Sequence, residues 1–138
     1  GKTGRALADN AKVRSVTPIL FVREVRQSAA FFTDRLGFTV DFLYGGPPYY
    51  GSVSREGACL HLRHVARPNF TELAAREDSL IVATVEVCDI QAIHAEFVSR
   101  QAPITRGIVN QSWGGTDFHV RDPDCNEISF VQYKFPNR

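Results

Sequence analysis

Ser112-Trp113-Gly114-Gly115-Thr116-Asp117-Phe118-His119-Val120-Arg121-Asp122-Pro123-Asp124-Cys125-Asn126-Glu127-Ile128-Ser129-Phe130-Val131-Gln132 reads as a glycine-containing loop, a strand, a tight turn and a second strand. Asp122-Pro123-Asp124 supplies the turn, because Pro presets φ and Asp side chains accept local backbone hydrogen bonds. Thr116 to Arg121 and Glu127 to Gln132 flank it with the β-branched and aromatic residues expected of hairpin arms. Trp113, the only tryptophan, stands before two glycines and outside any apolar run. An amphipathic ring so placed is either a lid over a core or a platform for a ligand.

Working outward, the preceding segments alternate between strand and helix patterns. Val16 to Arg23 reads as a strand with Pro18 near its start, where a missing N–H is tolerated. A first helix is expected from about Val25 to Leu36, with Ala29, Phe32 and Leu36 at helical spacing and Gly37 placed to end it in a left-handed conformation. Strands follow at Phe38 to Tyr44, Tyr49 to Ser54 and Ala58 to His64, separated by Gly45-Gly46-Pro47-Pro48 and Arg55-Glu56-Gly57. In the polar stretch Arg67 to Asp78, Asn69 with Glu72 three residues on suggests the start of a short helix. Leu80 to Val87 is a β-branched strand. Asp89 can then cap a second helix whose apolar face is Ile90, Ile93, Phe97 and Val98, and Ile104 to Val109 is a short strand.

The second half thus repeats the element order of the first. Val22 and Val87, each before a helix, lie 65 residues apart, and His61 and Ser129, each in a closing strand, lie 68 apart. A tandem repeat with a small loop difference accounts for both spacings. The expected organisation is a single domain over 1–138, with repeat one at about 15–65, a linker at 66–79 and repeat two at about 80–134.

Composition narrows the function classes. A chain of 138 residues with 43% hydrophobic and 22% charged residues is an ordinary globular domain, long enough to bury a core. A net charge of +1 argues for neither nucleic acid nor a membrane surface, and no apolar run is long enough to span a bilayer. No signal peptide is recognisable, and with no Met present the first residues read as a processed or added end. Cys59, Cys88 and Cys125 are an odd number without CxxC spacing, which favours free thiols and a cytoplasmic location. No Ser-His-Asp order, nucleophile elbow, phosphate loop or dinucleotide fingerprint is present.

Trp-Gly, an aromatic strand, Asp-Pro-Asp-x-Asn and a closing strand, with Phe31-Phe32-Thr33-Asp34-Arg35-Leu36-Gly37-Phe38 upstream, resemble the bleomycin-resistance branch of the glyoxalase/dioxygenase (vicinal oxygen chelate) superfamily. The resemblance runs roughly from Val16 to Tyr133. It implies an α+β fold in which tandem βαβββ repeats form a curled eight-stranded mixed sheet, with the site inside the cup and a homodimer completing each cleft. Metal-dependent members carry ligands at one position in the first and last strand of each unit, which here correspond to Thr17, His61, Val82 and Ser129. Only His61 among these is a good ligand, and a catalytic divalent ion wants about three. His64, three residues on, points to the other face of its strand, and His119 is on the opposite parity from Phe118 and Val120. The histidines outside the ligand positions read as exposed or structurally hydrogen-bonded.

The resemblance therefore implies a metal-independent, cofactor-free protein that sequesters a small molecule, in the manner of bleomycin-resistance proteins. The alternative is a lyase, dioxygenase or isomerase of the same superfamily using His61. Cys59, His61 and Arg63 share one strand face; Cys59 could pair its thiol with His61, although a small buried thiol is the commoner state. By the resemblance that face lines the cup, with Thr17 and Ser129. Tyr49, Tyr50, Phe38, Phe42 and Trp113 are available to wall it. Family members bind a cationic glycopeptide and tend to be acidic. This chain is nearly neutral and offers Arg63, so the expected ligand is aromatic with an acidic group, and neither nucleic acid nor a membrane is an expected partner. Cys125 stands where the family usually has Gly; if φ there is positive, Cys costs on the order of 1 kcal/mol.

Overall fold

The computed structural model describes residues 9–68 and 70–135. Two units of identical order follow one another. The first is β1 (Ile19–Val22), α1 (Val25–Leu36), β2 (Thr39–Tyr44), β3 (Tyr50–Arg55) and β4 (Ala58–His64). A short helix, α2 (Phe70–Ala74), leads to the second: β5 (Ile81–Glu86), α3 (Ile90–Ser99), β6 (Ile104–Asn110), β7 (Gly115–Arg121) and β8 (Glu127–Tyr133). The eight strands divide into two four-stranded mixed sheets, ordered β1-β4-β3-β2 and β5-β8-β7-β6. In each sheet the first strand runs parallel to the last, Leu20 opposite Leu62 and Val85 opposite Phe130, and the remaining pairs are antiparallel.

Local chemistry explains the boundaries. Glu24 caps α1 by accepting from the Arg26 and Gln27 amides, and Gly37 ends it at φ 71°, where the left-handed region excludes most side chains. Asp89 caps α3 through the Ala92 amide. Strand β1 is shorter than the sequence suggests: pairing starts at Ile19, because Pro18 has no N–H and contributes only its carbonyl, to the His61 amide. Val16 is left 89% exposed. Val98 departs from its expected place on the apolar face of α3 and is 55% exposed, since Ile90 and Phe97, two turns apart, define the buried stripe. The Asn69 cap proposed for α2 lies outside the described residues.

Each sheet turns one face to a shared core and the other outward. Leu20, Val22, Val53, Leu60 and Leu62 meet Ala29, Phe32 and Leu36 of α1; Phe118, Val120, Ile128 and Phe130 meet Ile90 and Phe97 of α3. Phe97, Phe118 and Phe130 pack with ring centroids 4.9–5.8 Å apart. Full burial of each such ring contributes about 1.5–3 kcal/mol.

Among the contacts that join the units are two clasps. Arg55, at the end of β3, donates both terminal nitrogens to Glu96 of α3 at 2.8 Å and also reaches the Leu36 carbonyl at 2.9 Å. This bidentate bond chiefly holds the Glu96 carboxyl below its ordinary range. The other clasp is the β7–β8 turn. Asp122 Oδ1 accepts the Asp124 and Asn126 amides, and Asn126 Nδ2 donates to Asp122 Oδ2 and to the Phe21 carbonyl. Asp124 Oδ1 accepts the Arg23 amide. The two aspartates are therefore backbone-binding turn residues, and Cys125 does adopt positive φ, at 65°.

Candidate functional site

The functional surface is built on the two outward sheet faces. On the first, β4 presents Cys59, His61 and Arg63, with Tyr50, Ser52 and Ser54 of β3 opposite them. His61 Nδ1 lies 2.8 Å from the Tyr50 hydroxyl, and its ring meets those of Tyr50 and Phe42 edge-on at 5.3 and 6.0 Å. Asp41, brought to this face by the bulge between Val40 and Phe42, accepts the Ser54 and Ser52 hydroxyls at 2.7 and 2.8 Å. Those two bonds, Ser54 first, lower its pKa. Arg63 is exposed and, among the described residues, its side chain donates only to the His64 carbonyl, at 3.3 Å. His64 takes a structural role on the far side, with Nδ1 donating to the Arg23 carbonyl at 2.7 Å.

The second face holds a partly buried chain of charges. Arg106 of β6 donates to Asp117 Oδ1 through Nη2 at 2.6 Å and, from the same nitrogen, to His119 Nε2 at 2.9 Å. His119 Nδ1 is 3.0 Å from Glu127 Oε2, and Arg121 donates to Glu127 Oε1 at 2.8 Å. A guanidinium can only donate, so Nε2 is the unprotonated nitrogen of His119 and Nδ1–H donates to Glu127. Beside this chain Thr84, Trp113, Ser129 and Tyr133 complete a cavity of about 220 Å³. Trp113 is 59% exposed and leans on Tyr133 at 6.1 Å between ring centroids.

A second cavity, of about 680 Å³, lies between the units and is walled by Phe38, Leu60, Ala83, Ile93, Phe97 and Phe130. It is larger than the first, yet His61, Arg63 and Trp113 do not line it.

The expected site residues are thus distributed. His61, Arg63 and the exposed Tyr49, which packs on Tyr44 at 5.5 Å, belong to the first unit. Trp113 and Ser129 line the small cavity of the second. Phe38 is buried against Phe32 because its amide closes the end of α1 on the Phe32 carbonyl, turning the ring inward. Cys59, half-buried, contacts Ser52 Oγ at 3.4 Å. Thr17 precedes β1; directly opposite His61 stands Ile19, and opposite Ser129 stands Thr84. Among the described residues no three His, Cys, Asp or Glu side chains are grouped as a metal ion requires, and no helix is long and apolar enough to cross a membrane. Sequence reasoning missed Arg106, Asp117 and Glu127 altogether. The one available signal was the alternation of Asp117, His119 and Arg121 along a single strand face.

A family model, Glyoxalase/Bleomycin resistance protein/Dioxygenase superfamily, matches residues 13–130. No curated protein sequence matches the chain. Among solved structures, a bleomycin resistance determinant encoded on the transposon Tn5 is 21% identical, with 89% of this chain and 100% of that chain covered at a TM-score of 0.72. The bleomycin-binding protein of bleomycin-producing Streptomyces verticillus, complexed with copper(II)-bleomycin, is 26% identical, with 87% and 96% covered at 0.68. A glyoxalase-related enzyme from Clostridium phytofermentans is 18% identical, with 88% and 96% covered at 0.70. Binding protein and enzyme-related protein share this backbone, so the side chains must decide between them.

Proposed function

The chain belongs to the glyoxalase/bleomycin resistance protein/dioxygenase superfamily, and we propose that it binds and sequesters a small molecule, without a metal, in a cleft completed by a second copy of itself. The observation that carries this reading is the split of aromatic and polar recognition groups between two outward faces. His61, Arg63, Tyr50 and Phe42 stand on one sheet, and Trp113, Tyr133 and Ser129 on the other. Each is half of a pocket; a facing copy supplies the missing half. Support also comes from the bleomycin-binding relative at 26% identity and from the residues at the family's ligand positions. Thr17, Val82 and Ser129 offer two neutral hydroxyls and an alkyl group, leaving His61 as the one strong donor.

Arg63 carries a permanent charge in fork geometry and selects an anionic group, so the expected ligand of the first face is planar and acidic. Calorimetric titration with 2-naphthoate and with bleomycin tests this. Naphthoate should bind, and Arg63→Ala should weaken it about tenfold or more, whereas bleomycin should bind weakly. Tight bleomycin binding that survives Arg63→Ala would overturn the ligand class. A second reading, catalysis by His61, is favoured by its short contact with the Tyr50 hydroxyl, an arrangement able to relay a proton. Turnover of a bound ligand that is lost in both His61→Ala and Tyr50→Phe would establish it.

A further inference from the structure

The second face has a feature that ligand sequestration in general does not require. Asp117 has a side chain only 8% exposed, yet its two oxygens differ sharply. Oδ1 accepts from Arg106 Nη2 and from Gln111 Nε2, at 3.1 Å. Among the described residues Oδ2 accepts no hydrogen bond and lies 3.9 Å from His119 Nε2, which Arg106 already occupies. Asp117 lines the small cavity with Trp113 and Tyr133 beside it. A carboxylate oxygen that has no protein donor and belongs to a side chain lining a cavity is available to accept a hydrogen bond from a ligand.

We propose that Asp117 Oδ2 is the recognition point of this half-site, and that it takes an N–H donor carried on a flat ring lying along Trp113. This inference rests on the ligand-binding reading above and specifies its second face. The charges around Oδ2 select the kind of donor. Arg106 of β6 offsets Asp117 and Arg121 of β7 offsets Glu127 of β8, while His119 faces the Arg106 donor with Nε2 and Glu127 with Nδ1. The cluster therefore balances, and a neutral N–H is accepted without an added cation. The cavity, at about 220 Å³, has room for one ring system, below the usual range for a whole drug-sized ligand. A ligand that spans the cleft would thus present an acidic end to Arg63 and an N–H-bearing ring to Asp117.

Indole and 1-methylindole separate donor recognition from apolar burial. They share the ring, but the methylated compound lacks the N–H and, being more apolar, gains more from burial alone. Binding of each to the full-length protein is followed by the single indole N–H cross-peak of Trp113 in ¹⁵N-labelled protein. The expected result is that indole binds roughly tenfold more tightly than 1-methylindole, as a hydrogen bond to a charged acceptor provides. In Asp117→Asn the preference should vanish. Arg106 and Gln111 both demand an oxygen at the Oδ1 position, so the amide NH₂ must face the cavity and repel a donor. Should that variant fail to fold, the ligand pair on the wild-type protein still decides the matter. If 1-methylindole binds as tightly as indole while both shift the Trp113 signal, Asp117 is not a recognition point. If neither ring moves Trp113, the flat-ring reading of this face itself fails.

Discussion

Cys125 and Asp122, three residues apart in one turn, carry opposite lessons about strain. Cys125 holds φ 65° without the freedom of glycine. Cys125→Gly should therefore raise unfolding free energy by about 1 kcal/mol, read as a shift of the urea midpoint at unchanged slope. Asp122 is buried, and desolvation pushes its pKa up to about 6 despite the hydrogen bonds from Asn126. Its folded pKa thus lies above the ordinary carboxyl value, so the folded state holds the proton more firmly. The stability this confers is fully present below about pH 4 and is lost as pH rises through about 6, an effect of the order of 3 kcal/mol. Denaturation measured between pH 4 and pH 7.5 should show that slope, and Asp122→Asn should flatten it. The Asp-Pro-Asp-x-Asn chemistry was legible because every one of these bonds is local except those to Phe21 and Arg23. That the same residues clasp β1, a hundred positions upstream, was not.

At the scale of elements, Gly37 shows why the α1–β2 corner is intolerant. A β-carbon there would stand 2.8 Å from Arg55 Nη1 and 2.9 Å from Glu96 Oε2, on a backbone already at φ 71°. Gly37→Ala should cost about 2 kcal/mol or more, because it adds left-handed strain to disruption of the Arg55–Glu96 clasp. Thermal and urea denaturation of the pair of proteins checks this. Element boundaries were legible wherever caps and periodicity agree: α1 and β4 lie where the sequence places them. Faces were harder to read. The β6–β7 register shifts twice, between Ile104 and Arg106 and again before Val109, so counting alternate residues along β6 does not place Arg106 beside Asp117 and His119. Phe38 misleads for a related reason. It reads as the first residue of a strand, but its amide still belongs to the end of α1.

For the whole molecule, the two half-faces predict association. Sedimentation at micromolar concentration should give twice the 15.4 kDa chain mass, and elemental analysis without prior chelation should find no stoichiometric transition metal. A clean monomer would remove the second copy from the proposed cleft; one metal per chain, lost in His61→Ala, would favour the enzyme reading. The tandem βαβββ plan was visible in the sequence as repeated order and spacing. The division into separate four-stranded sheets depends on hydrogen bonds between strands, which spacing does not encode. That division has a genetic consequence. Every strand ladder begins and ends within one unit, so no strand pairing is severed by interrupting the polypeptide between Ala74 and Ile81. Two shorter genes encoding the pieces on either side should yield fragments that find each other through the Asp124–Arg23, Asn126–Phe21 and Glu96–Arg55 contacts and the common core. Co-purification on an affinity tag carried by one piece would reveal such complementation.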